Sequence, residues 1–421
     1  MERKSHMTPM VIIGVLFFLF GFVTWLNGSL IPFLTIICDL DTFEAFFVTF
    51  AFYIAYTVMA LPMSYVLEKY GYKKGMEIGL RVMAIGSLLF IPAALSGEFL
   101  VFLSALFTLG TGLTILQTAS NPYIVLLGPK ESAARRISIM GIINKTAGVL
   151  APLVFTVLIF SDMPSTQNLT PYAMDELAFK LVEPYLVMTA LLFSLVFFVK
   201  YSSLPEITFV DDEYDDSSLF DFPHLILGAI ALFFYVGVEV IAGDSIGLYA
   251  QSLGVQHATA LTSYTMGFMV LGYLVGIVAI PKILSQKNAL VMSALFGIVF
   301  TLGIVYSDTQ SYKISEILWG WSGLTLLPDS VVFVALLGFA NALVWPSIWP
   351  LALDNLGKHT ARGSALLIMA IAGGALLPVA FGKLSELLHS MQDAYVLAFG
   401  CYLFILMYAL RWHKIKSWSD R

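Results

Sequence analysis

Charge is scarce in this sequence. Asp, Glu, Lys and Arg make up 12% of its 421 residues, against about 25% in an ordinary soluble domain. That scarcity excludes a soluble globular protein. Cysteine is scarcer still: Cys38 and Cys401 cannot form a disulfide framework, and each lies in an apolar stretch where a small buried thiol fits. No basic stripe is present, so no nucleic-acid partner is expected. No metal-ligand spacing, nucleophile elbow or phosphate loop occurs, so no enzyme chemistry, metal site or cofactor is expected. The six histidines are scattered. The first apolar run is too long for a cleavable leader and passes straight into more of the same, so no signal peptide is expected.

What fills the chain is hydrophobicity. Apolar residues make up 59% of it, in runs longer than the ~18 residues that mark a membrane-spanning helix. The expected class is an all-α membrane protein. Twelve spans are predicted, over 9–37, 43–68, 76–96, 99–127, 138–160, 179–201, 224–252, 257–283, 288–308, 330–351, 363–388 and 392–412. Several exceed the ~20 residues needed to cross, so they must tilt or bend. Lysine and arginine set the orientation. With both termini in the cytoplasm, 18 of the 22 fall on that side. Lys180 and Lys313 fall in outer loops, and Lys145 and Lys383 lie within spans. The longest inner connection, 202–223, carries Glu206, Asp211, Asp212, Glu213, Asp215, Asp216 and Asp221. It reads as a solvated linker between a half over 1–201 and a half over 224–421.

An internal repeat supports this division. Gln117 is followed five residues on by Pro122, and Asn341 five residues on by Pro346. Leu127-Gly128 precedes Ile139-Met140 by twelve residues, and Leu356-Gly357 precedes Ile368-Met369 by the same twelve. Span four therefore matches span ten, and span five matches span eleven. Two pseudo-symmetric six-helix bundles, with substrate between them near mid-membrane, are the plan of the major facilitator fold. The halves differ where they correspond. Asn144-Lys145 falls on Gly373-Gly374, and Asn121 falls on Trp345. One wall rich in amides and one rich in aromatics suits a sugar: amides bond the hydroxyls and a ring stacks on the C–H face.

The candidate site residues are the polar groups inside apolar spans, where they are costly. Gln117 and Asn121 lie four apart on one helix face. They either bind a sugar or ion, or knit helices together at about 0.6 kcal/mol a bond. Asn144 and Asn27 stand under the same two readings. Lys145 points about 100° away from Asn144. Either it snorkels to the inner surface or it needs an acid from the second half, with Glu239 the best candidate. Glu239 is expected near the membrane centre, as a sugar or coupling ligand, and Asp244 nearer the outer end. Asn341 and Trp345 share a face of span ten and complete the substrate set: Gln117, Asn121, Asn144, Glu239, Asn341 and Trp345. Glu239, Lys145 and Asn27 form the candidate coupling set.

TASNP (Thr118–Pro122), AFYIAY (Ala51–Tyr56) and NLGKHTARGS (Asn355–Ser364) resemble the fucose–galactose–glucose permease family of the major facilitator superfamily, across all twelve spans. WLNGSLIPFL (Trp25–Leu34), LQTASNPYI and IMGIINKTAG (Ile139–Gly148) resemble the bacterial glucose/galactose permeases most. The resemblance implies a monomeric hexose transporter of a bacterial inner membrane. It also implies an inner gate at Glu68, Lys69, Gly71, Lys73 and Lys74, whose counterpart near 276–286 has lost its acid. The fucose branch carries an aspartate in span one and a glutamate in span four, implicated in proton coupling. This chain has Gly28 and Gln117 there, and neither can titrate. It has Gly141 where that branch has a glutamine, and Glu239 where that branch has another. Some similar permeases are sodium-linked. The expectation is therefore cation symport of a glucose- or galactose-like hexose, with Na+ favoured over H+. The runner-up is passive facilitation, and a membrane-embedded receptor or enzyme is the remote alternative.

Overall fold

The computed structural model describes residues 7–126, 133–160, 176–204, 219–280, 284–354, 356 and 360–418. Among these, every regular element is helical. Twelve helices are long and apolar enough to cross a membrane. They are α1 (Pro9–Ile37), α2 (Thr42–Met59), α3 (Lys69–Ser96), α4 (Phe99–Ser120), α5 (Ile139–Ile159) and α6 (Glu176–Tyr201). The second set is α7 (Pro223–Ser252), α8 (Ala258–Ala279), α9 (Gln286–Tyr306), α10 (Asp329–Ala352), α11 (Leu366–Leu388) and α12 (Met391–Lys414). Helix is forced here because lipid offers no partner to a backbone amide, so each strand of chain must satisfy its own. The twelve form two six-helix bundles, α1–α6 and α7–α12. The linker expected over 202–223 lies mostly outside the described residues.

Two expectations about the helices need correction. Residues 69–75 do not form an open loop: α2 and α3 belong to one helical run, Thr42–Ser96, broken at Gly71. Gly71 has φ 76° and ψ 169°, a conformation a side chain would strain, and the glycine lets the chain change direction without a loop. Span ten is not one helix. It divides into Asp329–Asn341 and Val344–Ala352. The break falls ahead of Pro346, whose ring cannot supply a helical amide hydrogen bond. Asn341 sits at the break.

Close helix packing rests on glycine at corresponding places in the two bundles. A methyl at Gly21 of α1 would drive into the backbone carbonyl of Asn144 on α5. A methyl at Gly373 of α11 would drive into that of Phe233 on α7. The sequence repeat sets Asn144 against Gly373, so the same helix pair uses its glycine on opposite members in the two halves. Six residues further on, Asn27 of α1 stands against Glu239 of α7.

The halves meet through α1 on α7, α2 on α11 and α5 on α8. The hydrogen bonds that join described residues across this seam lie midway or at the end opposite the chain termini, called the far end below. Ser29 Oγ donates to the Thr259 carbonyl at 2.6 Å, and Ser263 Oγ to the Val149 carbonyl at 2.6 Å. Thr156 and Thr259 share a hydroxyl hydrogen bond of 2.8 Å. Phe46 of α2 meets Phe381 of α11 edge to face, centroids 5.5 Å apart. The start of α2 is fixed by a capping box: the Glu44 amide donates to Asp41 Oδ1 at 2.7 Å, and the Asp41 amide to Glu44 Oε2 at 3.1 Å. The far end is shut.

Candidate functional site

At the centre of the seam, Lys145 Nζ of α5 lies 2.7 Å from Glu239 Oε1 of α7. The two are 8% and 7% exposed. This is the partner the sequence pointed to: a lysine inside an apolar helix, with the deep acid in the other half. A third helix contributes Trp25 of α1, whose ring lies under the Lys145 ammonium at 4.4 Å. The indole is slotted between Gly148 of α5 and Gly243 of α7, where any side chain would collide with it. The cation therefore rests on a ring face and a carboxylate at once. Tyr53 of α2, Tyr235 of α7 and Tyr273 of α8 lie close enough to feel the Glu239 charge. Tyr235 is in turn 6.2 Å, ring to ring, from Trp345 of α10, which stands 5.6 Å from Trp349.

The amides divide by role. Gln117 Nε2 of α4 donates to the Tyr56 hydroxyl at 3.0 Å, and Tyr56 stacks on Tyr53 at 6.1 Å. Gln117 itself is half-buried. Asn144 Nδ2 donates to the Phe17 carbonyl at 3.2 Å, which ties α5 to α1 beside Gly21. Asn27 is 1% exposed and its Nδ2 has no partner. Asn341 Oδ1 accepts from the Tyr402 hydroxyl at 2.8 Å, while its Nδ2 has none. The side chain of Asn121 lies outside the described residues. The structure thus gathers Lys145, Glu239 and Trp345 around one tyrosine cluster, and turns Asn144 and Asn341 toward neighbouring helices.

The residues expected to form an inner gate lie at the end carrying the termini. Lys69 is exposed and 5.3 Å from the Tyr70 ring centroid. Lys73 Nζ donates to the Ser202 carbonyl at 2.9 Å. Lys74 bonds Glu77 at 2.9 Å, and Arg81 lies 3.6 Å from the same carboxylate. The Glu68 side chain lies outside the described residues, and the acid that pairs with Lys74 and Arg81 is Glu77, 4% exposed. Sequence reasoning missed it because it was counted as the first turn of span three.

Asp244 is the other carboxylate on α7, and it is 0% exposed. Its Oδ2 accepts from Thr49 Oγ1 of α2, across the seam, at 3.0 Å. Its Oδ1 has no partner. Two hollows lie elsewhere. A groove of about 830 Å3 between α1 and α6, lined by Val11, Phe197 and Tyr201, is apolar and outward-facing. One of about 680 Å3 at the far end is lined by Asp41, Phe43, Tyr249, His389 and Gln392.

Comparison with known proteins identifies the family and the fold. The Major Facilitator Superfamily model matches residues 13–378. A putative glucose/galactose transporter of Helicobacter pylori is 34% identical, over 98% of this chain and 99% of its own. The L-fucose-proton symporter of Haemophilus influenzae is 27% identical, over 98% of each. The crystal structure of the E. coli fucose:proton symporter superposes with a TM-score of 0.73 at 23% identity, over 98% of this chain and 100% of that one. The chain belongs to the Major Facilitator Superfamily, and within it to the fucose–galactose–glucose permease family.

Proposed function

We propose that this protein is a transporter that imports a hexose of the glucose or galactose type by proton symport, through alternating access. The observation that carries the reading is the Lys145–Glu239 pair. It joins the two halves at mid-seam, beside a tyrosine and tryptophan wall that the Gln117 amide reaches through Tyr56. A site shared by both halves is remade whenever they rock, which is what alternating access requires. With the termini in the cytoplasm of a bacterial cell, the shut far end is the outer one. The relatives named above support a sugar as cargo. They also bear on the ion: the coupled ones are named proton symporters, and the expectation of sodium finds no support among them. Protons are therefore the coupling ion we adopt.

The test is accumulation of labelled glucose and galactose in proteoliposomes. An inward pH gradient should drive accumulation, a protonophore should abolish it, and replacing sodium by potassium should leave it unchanged. Accumulation that requires sodium would restore the sodium reading. Equilibration under both gradients would make the protein a facilitator.

The binding wall has its own test. Gln117→Ala and Asn121→Ala should each weaken sugar binding, at least one of them more than about tenfold, because an unpaired buried hydroxyl costs about 1–3 kcal/mol. Tryptophan quenching on purified, folded protein measures this. Unchanged affinity in both would make these amides structural.

A further inference from the structure

Proton symport needs a carrier, and the two family carrier positions are Gly28 and Gln117 here. Resting on the proton-symport reading, we propose that Asp244 carries the coupled proton, and that the far end shuts only when it does. Asp244 lies within the seam itself, between α7 of one half and α2 of the other. In the shut state it is 0% exposed, with Thr49 Oγ1 at 3.0 Å on one oxygen and nothing on the other. A carboxylate enclosed this way cannot stay charged without a cation, because burial of an unpaired charge is prohibitive.

Among the described residues, the surrounding groups supply no such cation. On α7 itself the neighbouring charge is Glu239, also negative, and Lys145 of α5 is already committed to it. Across the seam α2 offers Tyr53, which feels both carboxylates. The described part of α1 has no acidic or basic residue. On α8 the titratable groups are Tyr264 and Tyr273, and on α12 Tyr395 bonds Ser245 at 2.7 Å. On α11 Lys383 pairs with Glu386 at 2.8 Å, both about half exposed. A hard cation would need several oxygens, and the partner given to Asp244 is a single hydroxyl.

The cycle follows. With the far end open, the Asp244 carboxylate takes a proton from water there, and an O–H bond forms on one carboxylate oxygen. The neutral acid is then enclosed when α2 closes onto α7. Its proton then leaves to water on the terminal side, past Tyr53 toward Glu239, which lies five residues inward, roughly 7.5 Å along the helix. The uncompensated charge left on Asp244 drives α2 off α7, so the far end reopens.

Asp244→Asn is permanently neutral, so closure no longer waits for a proton. In proteoliposomes it should exchange labelled sugar against unlabelled at a rate independent of pH, and its pH-driven accumulation should fall to simple equilibration. Wild-type accumulation by Asp244→Asn under a pH gradient overturns the assignment and leaves proton symport standing. If the wild type accumulates sugar only on sodium, proton symport fails first. Should Asp244→Asn not fold, Thr49→Val decides. It removes the hydroxyl that favours the charged carboxylate, so the midpoint of the uptake profile should move to higher pH, by about half a unit or more. An unmoved midpoint in folded Thr49→Val overturns the proposal.

Discussion

Glu239→Gln should lower the stability of the folded protein by about 3–5 kcal/mol and end sugar accumulation. The stability loss follows from what is left behind. Lys145 would stay 8% exposed with a neutral amide where its carboxylate stood, and removing one partner of a buried pair costs about that much. The Trp25 ring retains part of the attraction, worth about 2 kcal/mol at most at a desolvated site. Lys145→Met should do comparable damage by leaving Glu239 among phenols. The double variant Lys145→Met with Glu239→Leu should recover most of the thermal stability, since a well-packed apolar pair replaces an ion pair at little or no loss. It should not recover transport, because the charge pair that both halves share is gone. Melting of the three variants in detergent, beside uptake in proteoliposomes, separates packing from function. Singles that melt with the wild type would mean the pair is hydrated and exchangeable. Accumulation that survives in Glu239→Gln would remove Glu239 from the coupling set.

The pairing of Lys145 with Glu239 was legible because hydrocarbon makes it nearly obligatory. A lysine inside an apolar run needs a partner, and the chain offers few acids at that depth. The span pattern, the repeat and the seam between halves follow from the same scarcity of polar groups, which leaves few arrangements open. The full burial of Asp244 was not legible for a related reason. Its depth was judged by distance from the helix end, while its burial comes from α2 closing over it. Thr49, its partner, lies 195 residues away, and nothing in a threonine inside an apolar helix marks it.

The amides show where sequence reasoning runs out. Asn144 and Asn341 have the residue type of sugar ligands, yet one ties α5 to α1 and the other holds Tyr402. Helical spacing fixes which residues share a face, but it does not say whether that face meets a cavity or a neighbouring helix. The aromatic wall had the opposite fate. Trp345 was singled out as a ligand, whereas Trp25 and Tyr53 entered only as members of family motifs, and Tyr235 was hidden among apolar neighbours. At the expected gate the sequence did not single out Glu77, because it reads as one more polar residue in the first turn of span three, yet it pairs with Lys74 and Arg81.

Gly28→Val should hold the far end open and reduce uptake at least tenfold. Gly28 lies where α1 crosses the seam, one residue before Ser29 donates to the Thr259 carbonyl. A methyl at Gly28 would collide with Thr262 Oγ1 and come within 2.9 Å of the Gly243 carbonyl. Thr262 cannot swing aside freely, because its hydroxyl donates to that same carbonyl at 2.7 Å. Both obstacles belong to the second half, so the clash exists only while the halves are shut. Overpacking of this kind costs about 1–3 kcal/mol. At about 2 kcal/mol, felt in one state alone, the balance between open and shut shifts roughly thirtyfold. Sugar binding from the open side should persist while delivery fails, and Thr262→Ala placed beside Gly28→Val should restore part of it. Spin labels at Thr42 of α2 and Glu386 of α11, in a background lacking Cys38 and Cys401, read the far end directly. The variant should show a longer distance distribution than the parent. Identical distributions, with uptake unchanged, would mean that α1 has slack at this crossing and that the small residue there is not what permits closure.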